Sequence, residues 1–143
     1  MSDRQDSGRL FEVRAVGWVE SPVKDAESAP RQGDEGTPAA AIRLLPEVRE
    51  AAKDIAAGDD LIVLTWLHAA DRGTLVVHPR GDETRPLTGV FSTRSPHRPN
   101  PIGLHRVTVL AIDAGRIEVD GLEAIDGTPV IDLKSVLRDV HER

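Results

Sequence analysis

Apolar residues in this chain fall into short runs separated by Gly, Pro and polar turns, and one of those runs has a helical period. Phe11, Val13, Ala15, Val16 and Trp18 roughly alternate with polar positions as far as Ser21-Pro22, which predicts a first strand. Residues 23–38 are polar, carry two Gly and two Pro, and read as a long loop. After an apolar strand at 40–45, Pro46 occupies a first helical position. Val48, Ala51, Ala52 and Ile55 then form an i, i+3, i+4, i+7 stripe, so the pattern predicts the main helix, stopped by Gly58. Glu47, Arg49, Glu50, Lys53 and Asp54 fall on its solvated side.

The run Leu61-Ile62-Val63-Leu64-Thr65-Trp66-Leu67 is nearly continuous, the pattern of a strand buried on both faces. Segments 74–78, 89–93, 104–112, 116–119 and 130–134 are short, β-branched and punctuated by Gly or Pro, and Asp113-Ala114-Gly115 signals a hairpin. Many short strands with one main helix predict a mainly β fold, a small closed or nearly closed β-barrel, because closure removes exposed edges. Residues 135–143 read as a short C-terminal helix and 1–9 as a disordered tail, which leaves one domain at 10–143.

Composition narrows the chemistry. The chain has no cysteine, so it has no disulfide and no thiolate zinc site, and its five histidines show no helical H-x-x-x-H pair. No metal is expected. No apolar run approaches a membrane span and the N-terminus lacks a secretory pattern, so a cytoplasmic protein with no membrane partner is expected. The formal net charge is −6, yet 84–112 contains no Asp or Glu while Arg85, Arg94, Arg98 and Arg106 fall within it. A local basic segment against an acidic total points to an anionic guest.

Inside that segment, Pro96, Pro99 and Pro101 fix their own φ and push Ser95, Arg98 and Asn100 towards extended backbone. The result is a stiff shelf carrying Arg94, His97, Arg98 and Asn100, suited to hold an anion or polar ligand with little ordering cost. The dinucleotide-type glycine fingerprint and the phosphate-cradling P-loop are both absent. From the residues alone the reading stops at an anionic or nucleotide-like ligand on a rigid basic loop.

The motif Gly89-Val90-Phe91-Ser92-Thr93-Arg94-Ser95-Pro96-His97-Arg98-Pro99-Asn100-Pro101-Ile102-Gly103-Leu104, followed by Asp126-Gly127-Thr128-Pro129-Val130-Ile131-Asp132-Leu133-Lys134, resembles the signature of the TsaA-like (TrmO) family of S-adenosylmethionine-dependent methyltransferases. Gly17, Ser21-Pro22, Pro30-Arg31-Gln32 and His68 fit the same pattern, so the resemblance runs from about Val13 to Lys134. It implies a compact barrel, a homodimer, S-adenosylmethionine near the subunit interface, and N6-methylation of N6-threonylcarbamoyladenosine beside the tRNA anticodon. By position it assigns cofactor contacts to Arg31, Gln32, Gly33, His68, Arg94, Gly103, Leu104, Leu122, Glu123, Asp126 and Thr128. Substrate contacts fall to His97, Arg98, Asn100, Asp132 and Lys134, and no general base is assigned. Asp126-Gly127 reads equally as a turn.

The sequence departs from the family at two places. Val77-His78-Pro79-Arg80-Gly81-Asp82-Glu83 stands where tRNA-acting members carry a Pro-Pro-Arg-Leu-Gly-Gly type of segment, and Ser135-Val136 replaces a usual Pro-Tyr. The C-terminal domain of longer bacterial members is left unmatched. Two alternatives to tRNA therefore stay open: a small-molecule acceptor, and a non-catalytic S-adenosylmethionine-binding module.

Overall fold

The computed structural model describes residues 8–22 and 39–137. Six strands close into a barrel in the order β1 (Gly17–Glu20), β2 (Ala40–Leu44), β7 (Arg116–Asp120), β6 (Ile102–Asp113), β3 (Asp60–Trp66) and β8 (Pro129–Ser135), with β8 returning to β1. Every neighbouring pair is antiparallel. Two further strands, β4 (Val76–Val77) and β5 (Thr88–Gly89), form a separate ladder beside the barrel.

Alternation sets the core. Val19, Ile42, Leu44, Leu61, Val63, Val107, Val109, Ile117, Val119 and Val130 are buried in one cluster, and full burial of each such side chain is worth about 1.5–3 kcal/mol. Leu122 and Ala124 join the cluster from the loop after β7. The β6–β7 hairpin turns through Ala114 and Gly115, with φ of 48° and 81°. Left-handed backbone at both central residues is what the right-handed twist of the flanking strands requires.

Four expectations are corrected. β1 begins only at Gly17: Phe11 and Val13 are 80% and 64% exposed, because the partner strands pair with β1 no earlier than Gly17. The main helix is a 3₁₀ helix, Pro46–Ala52, rather than an α-helix reaching Gly58. Gly58 N–H donates to Val109 O and Val109 N–H to Asp59 O, so the strand ladder pulls the chain out before longer helical turns can form. The apolar run in β3 is buried on one face only, with Leu61, Val63 and Thr65 inward, since a barrel wall has an outside. Residues 89–93 are not a strand: after β5 the chain makes a 3₁₀ turn at Val90–Ser92. The expected C-terminal helix and disordered tail fall largely on 138–143 and 1–7, outside the described residues.

Candidate active site

A cleft of about 1370 Å³ opens between the β4–β5 flap, the 3₁₀ turn and the proline shelf. A single small-molecule site usually occupies about 300–1,000 Å³, so this one has room for two ligands. Its lining includes Val76, His78, Arg80, Arg85, Phe91, Arg94, Pro96, His97 and Glu123.

The shelf is held by its own side chains. The Arg98 guanidinium donates through Nε to Ser95 O at 2.9 Å and through Nη2 to Thr93 O at 2.7 Å and to Val90 O. Thr93 adds a hydroxyl bond to Val90 O at 2.9 Å. Carbonyls that the prolines leave without strand partners are thus satisfied by a forked cation, and the loop needs no ladder to be rigid.

A second tie comes from the loop after β3. Asp71 N–H donates to His97 Nδ1 at 3.0 Å. Arg72 donates to Pro99 O at 2.7 Å and Asn100 Oδ1 at 3.0 Å, and its guanidinium lies 5.2 Å from the centre of a Trp66 ring. The bond makes Nδ1 the acceptor, which leaves Nε2 as the ring nitrogen that carries a proton. The Asp71 carboxyl is held below the usual range, first by Gly73 N–H and then by the Thr74 hydroxyl.

Arg94 differs from Arg98. It is exposed, faces the cleft, and has no hydrogen-bond or ion-pair partner among the described residues. Arg80 shares that freedom and adds backbone strain, with φ 57° and ψ 22° in a Pro-Arg-Gly turn. A left-handed non-glycine residue costs about 1–2 kcal/mol. Asp82, whose carboxyl is lowered by the Thr84 hydroxyl and N–H, shapes the same turn and pairs with Arg85 at 3.6 Å.

The structure brings Arg94, His97 and Glu123 together on the cleft wall. His68 is exposed just beyond β3. Gly103 faces the barrel interior, where a Cβ would collide with Thr65 Oγ1 and lie 3.0 Å from His105 Nε2, so packing is what demands glycine there. Leu104 points outward from β6, opposite Leu64. Leu122 is core, Thr128 is buried with its hydroxyl on Ile125 O, and Asp126 accepts from Ser21 N–H at 2.8 Å, which makes Asp126-Gly127 the turn that the sequence also allowed. Asp132 and Lys134 pair at 3.2 Å on β8, and Asn100 is engaged by Arg72. Arg31, Gln32 and Gly33 lie outside the described residues.

Sequence reasoning missed Phe91 and Arg80. Phe91 was legible as one of two Phe in the chain, inside the basic segment, but the strand reading of 89–93 hid it. Among the described residues no group of three or more His, Asp or Glu is arranged to hold a metal ion, and no helix is long and apolar enough to cross a membrane. The donor set of the cleft, a free guanidinium, a carboxylate and apolar surface, fits a zwitterionic nucleoside such as S-adenosylmethionine: a cation for a carboxylate, a carboxylate for ribose hydroxyls, and flat apolar contact for a base.

Comparison with known proteins agrees. A family model described as the tRNA-methyltransferase O N-terminal domain matches residues 18–141. A "Probable S-adenosyl-L-methionine-binding protein" of Methanothermobacter thermautotrophicus is 44% identical over 129 residues, covering 90% of this chain and 91% of that one. A protein of the same description from Archaeoglobus fulgidus is 46% identical over 125 residues, 87% of this chain, but the match spans only 34% of that protein. The crystal structure of TrmO from Pseudomonas aeruginosa superposes with a TM-score of 0.71 at 28% identity, covering 92% of this chain and 59% of that one. Another TrmO crystal structure gives 0.73 at 30% identity, with 92% and 61% covered.

Proposed function

Because the chain belongs to the family of the tRNA-methyltransferase O N-terminal domain, we propose that it is an S-adenosylmethionine-dependent methyltransferase whose acceptor is N6 of N6-threonylcarbamoyladenosine in the tRNA anticodon loop. The observation that carries the reading is the Arg94 guanidinium, without a partner among the described residues, on the wall of a cleft with room for cofactor and acceptor together. The relatives named as S-adenosylmethionine-binding proteins and the TrmO structures support it.

The cofactor brings a methyl group already activated on a sulfonium. What remains for the protein is alignment, which can supply most of the acceleration without a strong base. In this reading Arg94 holds the methionyl carboxylate and Glu123 accepts from the ribose hydroxyls. His97, fixed by Asp71 as the Nε2–H tautomer, presents a donor to the acceptor. Arg98 and Asn100 act through the shelf, whose hydrogen bonds keep the cleft wall in one shape.

The same reading includes a homodimer in the cytoplasm. Leu64 and Trp66 on β3, Ile102 and Leu104 on β6 and Ile131 on β8 leave an apolar patch on the outer barrel wall, with Leu104 47% and Ile102 41% exposed. Leu104 and Asp132 flank Leu64 in one row across this patch. A dimer formed here would bring Leu104, Asp132 and Lys134 to a shared site.

The test is incubation of the pure protein with labelled S-adenosylmethionine and either bulk tRNA or a small-molecule extract. Label in tRNA supports the proposal. The net charge of −6 favours the second reading, a small acceptor, which label in the extract alone would establish. Binding of the cofactor with no labelled product in either pool would leave a non-catalytic binding module.

A further inference from the structure

We propose that Phe91 and Arg80 form a nucleotide subsite at the mouth of the cleft, in which the Phe91 ring stacks an unpaired base of an RNA acceptor and the Arg80 guanidinium pairs with its phosphate. The inference rests on the RNA reading of the acceptor given above.

Phe91 is 83% exposed although its neighbours are fixed. Val90 is buried, its N–H donates to Leu75 O at 2.9 Å, and its carbonyl accepts from Thr93 N–H, the Thr93 hydroxyl and Arg98. The next carbonyl in the clamp, Thr93 O, also accepts from Arg98. A large ring is therefore presented to water on a backbone that cannot turn it inward. Stacking platforms for unpaired bases have this form, because every base offers a π-face and the ring loses little freedom on binding.

Arg80 is presented in a comparable way. Its left-handed backbone is held between His78 O, which accepts from Gly81 N–H at 2.9 Å, and Pro79 O, which accepts from Asp82 N–H at 3.1 Å. His78 Nδ1 lies 2.8 Å from Arg85 O, tying the two sides of the flap. Strain retained at a cleft residue whose cation has no partner among the described residues points to a ligand role. Arg80 and Arg94 line the cleft with no partner among the described residues, whereas Arg85 is paired with Asp82, and Glu83 and Glu123 share the lining. An exposed ring lining the same cleft as guanidinium groups that have no partner among the described residues suits a base with its phosphate better than a neutral small molecule.

The test compares wild type with Phe91→Leu, Phe91→Trp and Arg80→Gly, the last keeping the left-handed backbone while removing the guanidinium. Methyl transfer from labelled S-adenosylmethionine to bulk tRNA is measured as KM and kcat over a salt series, with cofactor affinity by calorimetry. Phe91→Leu should raise the KM for tRNA about tenfold or more, Phe91→Trp should keep it near wild type, and cofactor affinity should not change in either. Arg80→Gly should lower the salt slope by about 0.7 log unit per decade, one phosphate contact on a single strand. Wild-type KM and slope in Phe91→Leu and Arg80→Gly would overturn the subsite and leave the tRNA reading standing. No label in tRNA from the wild-type protein at any salt would overturn both.

Discussion

Thr65 and His105 meet inside the barrel, with Oγ1 and Nε2 2.9 Å apart on the inner face of the β3–β6 ladder. Burial pushes the His105 imidazole down from 6.5 to about 4, because the interior disfavours the charged ring. The sign follows from linkage. With its folded pKa below its unfolded one, His105 contributes its full stability above pH 6.5, and that stability is lost as pH falls towards 4. At 1.36 kcal/mol per unit the loss is about 3 kcal/mol. Denaturant midpoints measured between pH 7 and pH 4 should show it, and His105→Gln should flatten the part of the slope due to this residue. An equal slope in the variant would mean that His105 is not the group responsible.

Arg98 joins three carbonyls of the shelf that no strand partner satisfies. Arg98→Ala should therefore lower stability by about 1–3 kcal/mol, the cost of stranding partly buried acceptors. Arg98→Lys should recover little, since a single ammonium cannot reproduce the planar fork. Thermal unfolding of the two variants measures this, and a lysine variant as stable as wild type would show that charge, rather than the fork, holds the loop.

Most of the barrel was legible because a closed sheet with one dry face writes its alternation into the sequence. β6, β7 and β8 follow their β-branched runs, and the Ala114-Gly115 turn sits where the hairpin signal placed it. β3 misled because its outward Ile62, Leu64 and Trp66 are apolar too, and sequence alone does not distinguish two buried faces from one buried face and one apolar wall. In the site, sequence showed that the shelf carries Arg94, Arg98, His97 and Asn100 but not where each points. Arg98 and Asn100 make bonds across the shelf, whereas Arg94 faces the cleft with no partner among the described residues. The direction of Asn100 depends on Arg72, a residue 27 positions away from Pro99 that no local pattern connects to it.

Arg94→Ala should weaken S-adenosylmethionine binding by about 1.5–3 kcal/mol, the range for a hydrogen bond to a charged group, while leaving the fold unchanged because the guanidinium supports no neighbour among the described residues. Calorimetry with S-adenosylmethionine and S-adenosylhomocysteine gives the number. Saturable binding with wild-type affinity in the variant would remove Arg94 from the cofactor site.

The outer patch of Leu64, Trp66, Ile102, Leu104 and Ile131 predicts a symmetric dimer, the commonest closed assembly. Light scattering at micromolar concentration should give twice the chain mass for wild type and the monomer mass for Ile102→Glu, with methyl transfer falling in parallel. A monomeric wild type that still turns over would contradict a site shared between protomers.

The acceptor is best separated by salt. A tRNA acceptor must lay phosphates against the cations that the cofactor leaves available, Arg80 first, and each contact releases counterions, so affinity should fall by about 0.7 log unit per decade of salt for every single-strand phosphate neutralised. The global charge of −6 opposes this attraction, which predicts weak binding at moderate salt and a steep gain as salt is lowered. A neutral small acceptor has no counterions to release and would show almost no slope. Methyl transfer to modified and unmodified tRNA, followed at low and at moderate salt, should therefore show label in the modified pool that rises sharply at low salt. If tRNA stays unlabelled at low salt and the product appears in the small-molecule pool, the same cleft serves a small acceptor instead.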